Sequence, residues 1–311
     1  MDRTPIIAIQ GGAGRTPPNW SQKKKKVTKA LKYALSIGEE ALHTGNAIDA
    51  VTEALTYMEG SGVFNAGKGA VLNLIGEIEL DAGIMDGKTL NVGAVAALRR
   101  CWKSTKLARI VMEKTDHFLI VGKGAEILAK YYGLAEKFRP RKARIKQYNE
   151  FLEKYLKKEE IIWSKNLQIT RFYLNEYDTI GAIALDKEGN LAAAAATGGI
   201  WLKLPGRVGD SPIPGAGFYA ENGIAAVSLT GRGEFIARYM LAYRIVHEIK
   251  ILKNLDLSVK NVFERFTKLF GKNTAGAIVI DSIGNFTEFH NTEIFIYGCK
   301  KFNNKAIIKV D

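Results

Sequence analysis

A threonine at the start of an apolar run is the residue of this sequence best placed to do unusual chemistry. Thr179 follows Asp178, and the run up to Leu185 is rich in β-branched residues. A polar turn and the small-residue stretch from Leu191 to Ala196 come next. This pattern predicts a β-hairpin that begins at the threonine. If the chain is cut before Thr179, the freed α-amino group, with a pKa of about 7.7–8.0, can act as the base for the hydroxyl of the same residue. Taken alone, such a threonine is more often an ordinary strand residue.

Three further residues could serve such a nucleophile. Thr197 follows the alanines of the return strand, so the hairpin would place its hydroxyl beside Thr179, either as a partner or as a buried strand threonine. Arg207 and Asp210 lie three positions apart in a loop stiffened by prolines. A guanidinium can hold a carboxylate by two parallel hydrogen bonds, and a carboxylate can hold an ammonium, so this pair could bind both ends of a free α-amino acid. The spacing alone also fits an exposed surface pair.

The composition predicts a globular protein with a large core. The chain has 311 residues, of which 47% are hydrophobic and 25% charged, enough for one or two domains. No run of 18 apolar residues occurs, and the first residues lead directly into an apolar strand, so neither a transmembrane helix nor a signal peptide is expected. The two cysteines, Cys101 and Cys299, have no metal-ligand spacing and are too few for a disulfide framework. A cytoplasmic protein is therefore predicted.

The net charge of +13 raises the alternative of nucleic-acid binding. Much of the excess lies in the lysine run at 23–26 and in the segment from Lys137 to Lys158. The first run opens a segment with helical apolar spacing, which predicts a solvated helix face and makes nucleic-acid binding the weaker interpretation. Abundant Lys and Glu with few cysteines also favour a thermophilic prokaryote as the source.

The order of predicted elements argues against a doubly wound nucleotide-binding fold, because two helices lead into antiparallel strands rather than into βαβ units. The segment 137–177 is basic and irregular, which predicts a flexible linker; an exposed helical insertion, with a helix near 149–160, is the alternative. The predicted helices are 21–43, 46–58 with Asn46 as N-cap, 104–113, 122–132, 234–252 and 257–270. The predicted strands are 6–10, 70–74, 77–85, 89–98, 117–121, 177–185, 191–196, 218–220, 223–229, 276–281, 284–288 and 293–297.

Several motifs resemble the plant-type asparaginase family, whose members are also called isoaspartyl peptidases and are N-terminal-nucleophile (Ntn) hydrolases. The resemblance spans nearly the whole chain apart from roughly 137–176. The motifs that carry it are Gly11-Gly-Ala-Gly, Phe64-Asn-Ala-Gly-Lys-Gly, Thr179-Ile-Gly-Ala-Ile-Ala-Leu-Asp, Thr197-Gly-Gly, Leu204-Pro-Gly-Arg-Val-Gly-Asp-Ser-Pro and Thr230-Gly-Arg-Gly-Glu.

The resemblance implies an α+β fold, in the form of a four-layer αββα sandwich of the Ntn-hydrolase type. It implies autocatalytic cleavage between Asp178 and Thr179, which gives an α part, 1–178, and a β part, 179–311, that together form one globular domain. The expected reactions are hydrolysis of L-asparagine to L-aspartate and ammonia, and cleavage of β-aspartyl (isoaspartyl) dipeptides. A homodimer of αβ units is expected.

The resemblance also implies roles for individual residues. Thr179 would be the nucleophile, Thr197 its orienting partner, and Thr230 with Gly231 the oxyanion hole. Substrate binding would involve Arg207, Asp210, Gly231, Gly233 and Asn65, with the Asn65 amide pointing into the site. No cofactor is expected beyond one structural sodium ion, which the backbone carbonyls of the loop from Tyr57 to Phe64 could hold.

Two departures from the family pattern leave alternatives open. Gln10 stands where the family typically has histidine, and Ala195-Ala196 replace hydroxyl residues before Thr197. A glycosylasparaginase would share the threonine, arginine and aspartate, although the lack of a predicted signal peptide and of paired cysteines argues against that secreted type. The alternative from another class is a non-catalytic, basic nucleic-acid-binding protein on the same scaffold.

Overall fold

A computed structural model describes residues 4–14, 20–156 and 179–310; Asp178 and most of the second half of the predicted linker lie outside these ranges. The described chain has the mixed helix and sheet content of an α+β protein. Its helices are α1 Trp20–Thr44, α2 Ala47–Ser61, α3 Ser104–Lys114, α4 Gly122–Tyr131, α5 Lys142–Leu156, α6 Gly233–Tyr239, α7 Leu241–Leu252 and α8 Leu255–Phe270. Its strands are β1 Ile6–Gly14, β2 Leu80–Asp86, β3 Val92–Leu98, β4 Leu119–Val121, β5 Ile180–Leu185, β6 Leu191–Thr197, β7 Phe218–Glu221, β8 Ala225–Gly231, β9 Ala275–Asp281, β10 Phe286–His290, β11 Ile294–Lys301 and β12 Ile307–Val310.

The strands form two sheets. The larger has the order β12-β11-β1-β5-β6-β2-β3-β4, and the smaller has the order β10-β9-β8-β7. All neighbours are antiparallel except β3 and β4. Strands β5 and β6 pair from Ile180 opposite Ala196 to Leu185 opposite Leu191, so the predicted hairpin is confirmed. It lies in the middle of the larger sheet.

The first two helices follow from their sequence patterns. In α1 the residues with helical spacing, Val27, Leu31 and Leu35 among them, are buried, whereas Lys25 and Lys26 are exposed. Half of the lysine run is therefore exposed, and Lys23 and Lys24 are partly buried. Helix α2 begins with the predicted cap: the Asn46 side chain accepts a hydrogen bond from the Asp49 amide, and the Asp49 carboxylate accepts one from the Asn46 amide.

Three apolar clusters show how helices and sheets pack. One joins α1, α2 and α3 to one face of the larger sheet. A second lies where the two sheets meet, with Ile183 of β5 and Ala226 of β8 among its members. The third joins the smaller sheet to α7 and α8 and includes Val227. Because neighbouring side chains of a strand point to opposite faces, Ala226 and Val227 belong to different clusters.

The structure differs from the sequence prediction at four elements. The predicted strand 70–74 belongs to neither sheet and is wrong. The Val71 amide binds the Asn65 side chain, and the Leu72 carbonyl and the Leu74 amide bind the loop 202–203. The predicted helix 234–252 is two helices, because Met240 adopts a left-handed backbone conformation with φ 52°. Strand β12 was not predicted. The first half of the predicted linker contains α5, whose Phe151 packs into the core with 9% of its side chain exposed.

None of the helices in the described ranges combines the length and the apolar character needed to cross a membrane.

Helix α3 approaches strand β3 most closely at Gly93, which gives a prediction for stability. An ideal Cβ on Gly93 would lie 2.0 Å from the Ala108 carbonyl oxygen and 2.5 Å from the Met112 amide nitrogen. We expect Gly93→Ala to lower the free energy of unfolding by about 1–3 kcal/mol, because backbone must shift to make room. Gly124→Ala in α4 is the control. There the nearest atom to an ideal Cβ is Ile120 Cγ2, at 3.3 Å. The free energy of unfolding should therefore change by at most about 1 kcal/mol. Denaturant unfolding measures both, and equal midpoints would contradict this account.

Candidate active site

The hairpin brings two threonine hydroxyls together. Thr179 precedes the first paired residue of β5, Thr197 ends β6, and both are buried, with exposed fractions of 6% and 3%. Thr179 Oγ1 donates to Thr197 Oγ1 at 3.3 Å. The Gly199 amide donates to the same Thr197 oxygen at 2.9 Å. Thr197 therefore accepts from two donors, which fixes its hydroxyl against that of Thr179.

A loop before β2 holds the turn that follows Thr197. The Asn65 carbonyl accepts from the Gly198 amide at 2.9 Å, and the Asn65 Nδ2 donates to the Gly199 carbonyl at 2.7 Å. The Asn65 Oδ1 accepts from the Val71 amide at 2.8 Å. Both ends of the Asn65 amide bind backbone, so this residue holds the turn. Its second Nδ2 hydrogen has no role in these contacts, and substrate binding by Asn65 stays a prediction.

The predicted clamp residues lie together, with an acidic residue that the prediction missed. Arg207 Nε donates to Glu234 Oε1 at 2.9 Å, and Arg207 Nη2 is 2.8 Å from the same oxygen. An ideal Cβ on Gly233 would be 2.7 Å from Asp210 Oδ1 and 2.9 Å from Arg207 Nη2. Glycine at 233 therefore lets the start of α6 approach both groups closely. Glu234 is the last residue of the Thr230-Gly-Arg-Gly-Glu motif. It is far from Arg207 in the sequence, so no local pattern predicted that the two side chains pair.

Asp210 is a buried acid without a full set of partners. Its exposed fraction is 3%, and its Oδ2 makes no hydrogen bond within the described part of the chain. Burial raises the pKa of the Asp210 carboxyl to about 7, although the positive charge of Arg207 opposes this effect. A buried oxygen of this kind is costly unless a ligand satisfies it. It is placed to receive a cationic group.

Thr230 and Gly231 end β8. The Thr230 hydroxyl is buried and has no hydrogen-bond partner among the described residues. Gly231 has φ 139°, and an ideal Cβ on it would lie 2.2 Å from the Thr274 carbonyl oxygen, so no larger residue fits. The Thr230 hydroxyl is thus available as a hydrogen-bond donor.

The end of β8 lies beside the start of β5. An ideal Cβ on Gly181 would be 1.9 Å from Ser228 Oγ, so the two strands face each other closely two residues from Thr179 and two from Thr230. Strand β1 continues from Gln10, opposite Gly181, towards the Thr179 end of β5, and its Ala13 Cβ lies 3.2 Å from an ideal Cβ on Gly276, the residue opposite Thr230. Both threonines therefore stand at the same end of the two sheets. The structure therefore brings Thr179, Thr197, Thr230, Gly231, Arg207, Asp210 and Gly233 to one end of the molecule.

Gln10 connects β1 to this corner. It is buried opposite Gly181, its Oε1 accepts from the Gly12 amide at 2.9 Å, and its Nε2 donates to the Leu229 carbonyl at 3.2 Å. The Leu229 carbonyl belongs to the peptide bond just before Thr230. A primary amide suits this position because it can donate and accept at once. The residue that departs from the family pattern thus ties a bulge in β1 to the end of β8.

A fully buried lysine stands behind the Thr197 turn and was missed by the sequence analysis. Lys203 Nζ donates to the Glu79 carbonyl at 3.0 Å and lies 4.0 Å from Asp81 Oδ2. An ideal Cβ on Gly199 would be 2.8 Å from Lys203 Nζ. Burial lowers the pKa of the Lys203 ammonium, while Asp81 acts in the opposite direction. A single lysine between apolar residues gave no signal of this environment.

The loop predicted to hold sodium contains the last turn of α2 and its cap. Gly62 ends the helix with φ 65°. The carbonyls of Ser61 and Gly62 accept from the Arg141 guanidinium at 3.1 and 3.3 Å, and the Met58 carbonyl accepts from Ser61 Oγ at 2.7 Å. These three carbonyls each have a donor, which for two of them is the cationic Arg141 guanidinium, and the sodium site stays a prediction. Within the described ranges, no three His, Cys, Asp or Glu side chains are grouped as metal ligands.

Comparisons with known proteins agree with this geometry. A family profile described as Asparaginase matches residues 3–308. A plant-type L-asparaginase from Pyrobaculum calidifontis is 44% identical over 297 residues, which cover 95% of this chain and 96% of that protein. A plant-type L-asparaginase from Pyrococcus horikoshii is 40% identical over 296 residues, with the same coverage of both chains. An isoaspartyl peptidase/L-asparaginase from Rattus norvegicus is 40% identical over 282 residues, 90% of this chain and 81% of that protein. Because profile and relatives alike extend over nearly the whole sequence, the chain belongs to the asparaginase family.

Proposed function

We propose that this protein is an autoprocessed amidohydrolase that hydrolyses L-asparagine and cleaves β-aspartyl dipeptides. The observation that carries the proposal is the 3.3 Å approach of the Thr179 and Thr197 hydroxyls, at the same end of the sheets as the buried Asp210 carboxyl. The names of the relatives, plant-type L-asparaginase and isoaspartyl peptidase/L-asparaginase, support this substrate class over the glycosylasparaginase alternative.

In maturation, the Thr179 hydroxyl would attack the carbonyl carbon of Asp178. The C–N bond of that peptide breaks as the C–O bond forms, and the hydroxyl proton passes to the departing nitrogen, which becomes the free α-amino group. Water then hydrolyses the ester and releases the carboxyl end of the 1–178 part. Thr197 would orient the attacking hydroxyl, since the two oxygens already share a hydrogen bond.

In turnover, the same hydroxyl would attack the side-chain amide carbon of the substrate. The α-amino group takes the hydroxyl proton and delivers it to the leaving ammonia or amine, and the remaining β-aspartyl ester is hydrolysed by water. The negative charge on the carbonyl oxygen would be stabilised by the Thr230 hydroxyl and the Gly231 amide, which lie at the end of β8. Donors of this kind are typically worth about 2.7–4 kcal/mol of the barrier.

The clamp would select the free α-amino acid end of the substrate. Arg207 would hold the α-carboxylate, with Glu234 fixing the plane of its guanidinium, and Asp210 would hold the α-ammonium. The ammonium would also provide the positive charge that the buried Asp210 carboxyl lacks. This recognition applies to asparagine and to β-aspartyl dipeptides alike, because both carry the same end group.

The proposal includes finer features of the assembly. The three apolar clusters support a four-layer αββα sandwich, with helices outside both sheets. The parts 1–178 and 179–311 would form one domain, and a homodimer of αβ units is expected. Cys101 and Cys299 are free and buried, which supports a cytoplasmic location.

The first prediction concerns maturation. Purified wild-type protein should divide into a piece that ends at Asp178 and a piece that begins at Thr179, and intact-mass measurement over time would follow this. Thr179→Ala should remain whole because it has no hydroxyl, whereas Thr179→Ser should still be cut. Cleavage of the alanine variant at the same bond, or a wild-type chain that stays at 34.3 kDa after heating, would refute the assignment.

The second prediction concerns the Arg207–Glu234 pair. Glu234→Gln should raise KM for L-asparagine about tenfold and leave kcat within about twofold, since a less fixed guanidinium weakens ground-state and transition-state binding equally. The matched control is Glu248→Gln. That residue pairs with Arg265 at 2.9 Å between α7 and α8, and its loss should leave both constants near the wild-type values. A fall in kcat with unchanged KM in Glu234→Gln would argue against an orienting role in binding.

The third prediction follows from the raised pKa of Asp210. Below about pH 7 this carboxyl is protonated in the free enzyme and cannot hold an ammonium, so kcat/KM for L-asparagine should fall as the pH decreases. Succinamate lacks the α-amino group and serves as the comparison, because effects of the Thr179 amino group act on both substrates. The kcat/KM for L-asparagine divided by that for succinamate should rise with pH and level off above about pH 7. A constant ratio between about pH 5 and 8 would show that Asp210 does not bind the ammonium.

A further inference from the structure

We propose that helix α5 is a positioning element of the catalytic site: through Phe151 it holds the Trp201 loop, and that loop fixes the turn after Thr197. The inference deepens the proposed function, because it assigns a part in catalysis to a helix in the segment before the cleavage site. The sequence pattern gave this segment only as a flexible linker or an exposed insertion.

The main contact joins two aromatic rings. Phe151 of α5 meets Trp201 edge to face, with 4.8 Å between the ring centroids and 87° between the ring planes. Trp201 is fully buried. The Arg144 guanidinium lies 5.7 Å from the centre of the same indole. Edge-to-face pairs of this kind have a preferred geometry, so the contact orients the tryptophan in addition to burying it.

Helix α5 and Arg141, the residue just before it, bind the backbone of the neighbouring loop at several points. Arg141 donates to the Ser61 and Gly62 carbonyls, Arg144 Nε donates to the Gly69 carbonyl at 2.8 Å, and the Tyr148 hydroxyl donates to the Leu74 carbonyl at 3.0 Å. These carbonyls lie on either side of Asn65, the residue that holds the Thr197 turn. The helix therefore spans the whole loop from 61 to 74.

The loop 61–74 and the loop 199–203 are joined to each other. The Leu202 amide donates to the Leu72 carbonyl at 3.0 Å, and the Leu74 amide donates to the Lys203 carbonyl at 2.9 Å. Leu202 has φ 54°, a conformation that costs free energy for a residue other than glycine and persists only where the surroundings impose it. Trp201, held by α5, precedes this strained residue directly.

The connection to the nucleophile is short. Asn65 Nδ2 binds the Gly199 carbonyl, and the Gly199 amide donates to Thr197 Oγ1, which accepts from Thr179. A shift of the 199–203 loop would therefore move the hydroxyl that orients Thr179. Arg207 and Asp210 are held separately, by Glu234 and the start of α6. Loss of the α5 contact should consequently reduce kcat and leave substrate binding intact.

The test compares two apolar residues of the same helix. Phe151→Ala removes the aromatic contact, and Ile145→Ala, at a position with 42% of its side chain exposed, is the matched control. For L-asparagine we expect Phe151→Ala to lower kcat about tenfold with KM within about twofold, since small displacements of reacting groups have large effects on rate. Ile145→Ala should resemble the wild type, and Phe151→Tyr, which keeps the ring, should recover most of the lost kcat.

Hydrogen exchange followed by mass spectrometry supplies a readout independent of activity. Amides of 198–203 should exchange about tenfold faster in Phe151→Ala than in Ile145→Ala. Equal exchange, or equal kcat in the two variants, would overturn the proposal, and so would a rise in KM as large as the fall in kcat. If Phe151→Ala does not fold, Phe151→Leu against Ile145→Ala applies the same criteria. A wild-type protein that neither cuts itself nor hydrolyses asparagine would refute the proposed function, whereas the exchange comparison would still report on the contact.

Discussion

Antiparallel pairing of β5 with β6 is the constraint on which the rest of the site depends. The hydrogen-bond register of the hairpin decides that a residue at the start of one strand stands beside a residue at the end of the next, and a slip of one position would turn every side chain to the opposite face. Strands β1 and β2 flank the hairpin on both sides and exclude such a slip. The separation of Thr179 and Thr197 is thus a property of the whole sheet.

Buried charge is the second organising feature. Several ionisable side chains are buried near the hairpin, and they differ in the hydrogen bonds and charges around them. Hydrogen bonds from Arg99 and from the Gly206 amide lower the pKa of Glu79 although burial opposes them, and Lys203 lies between Glu79 and Asp81. Neither Asp81 Oδ2 nor Asp210 Oδ2 accepts a hydrogen bond among the described residues, but the first faces the Lys203 ammonium at 4.0 Å. Asp81 therefore belongs to a charge network within the fold, and Asp210 lies outside that network.

The sequence was sufficient for the elements defined by local periodicity. The apolar spacing of α1, the Asn46 cap and the alternation of the hairpin each depend on residues within a few positions of one another, and all three are confirmed. The apolar stretch 70–74 looked like a strand because side-chain character does not reveal where the backbone amides are bound.

Contacts between distant parts of the chain could not be predicted from the sequence. The Arg207–Glu234 pair, the Lys203 environment and the Phe151–Trp201 contact each join residues tens of positions apart, and no local pattern encodes such a meeting. Motif resemblance found Arg207 and Asp210 because it draws on residue identity rather than spacing. The motifs did not identify Glu234, Lys203 or Phe151, because these residues contact the proposed site residues or their loops and are not themselves proposed to touch the substrate.

The position of β5 in the sheet has a consequence for the chain end that cleavage would create. New termini usually fray, because nothing beyond them restrains their torsion angles. Here the residues immediately after Thr179 are paired on one side with β1 and on the other with β6. A terminus at that point would begin at a central strand with neighbours on both sides. The conformational entropy of Thr179 would then be lost when the protein folds and not when a substrate binds. The fold would then present an amine and a hydroxyl on one residue as a rigid bifunctional group.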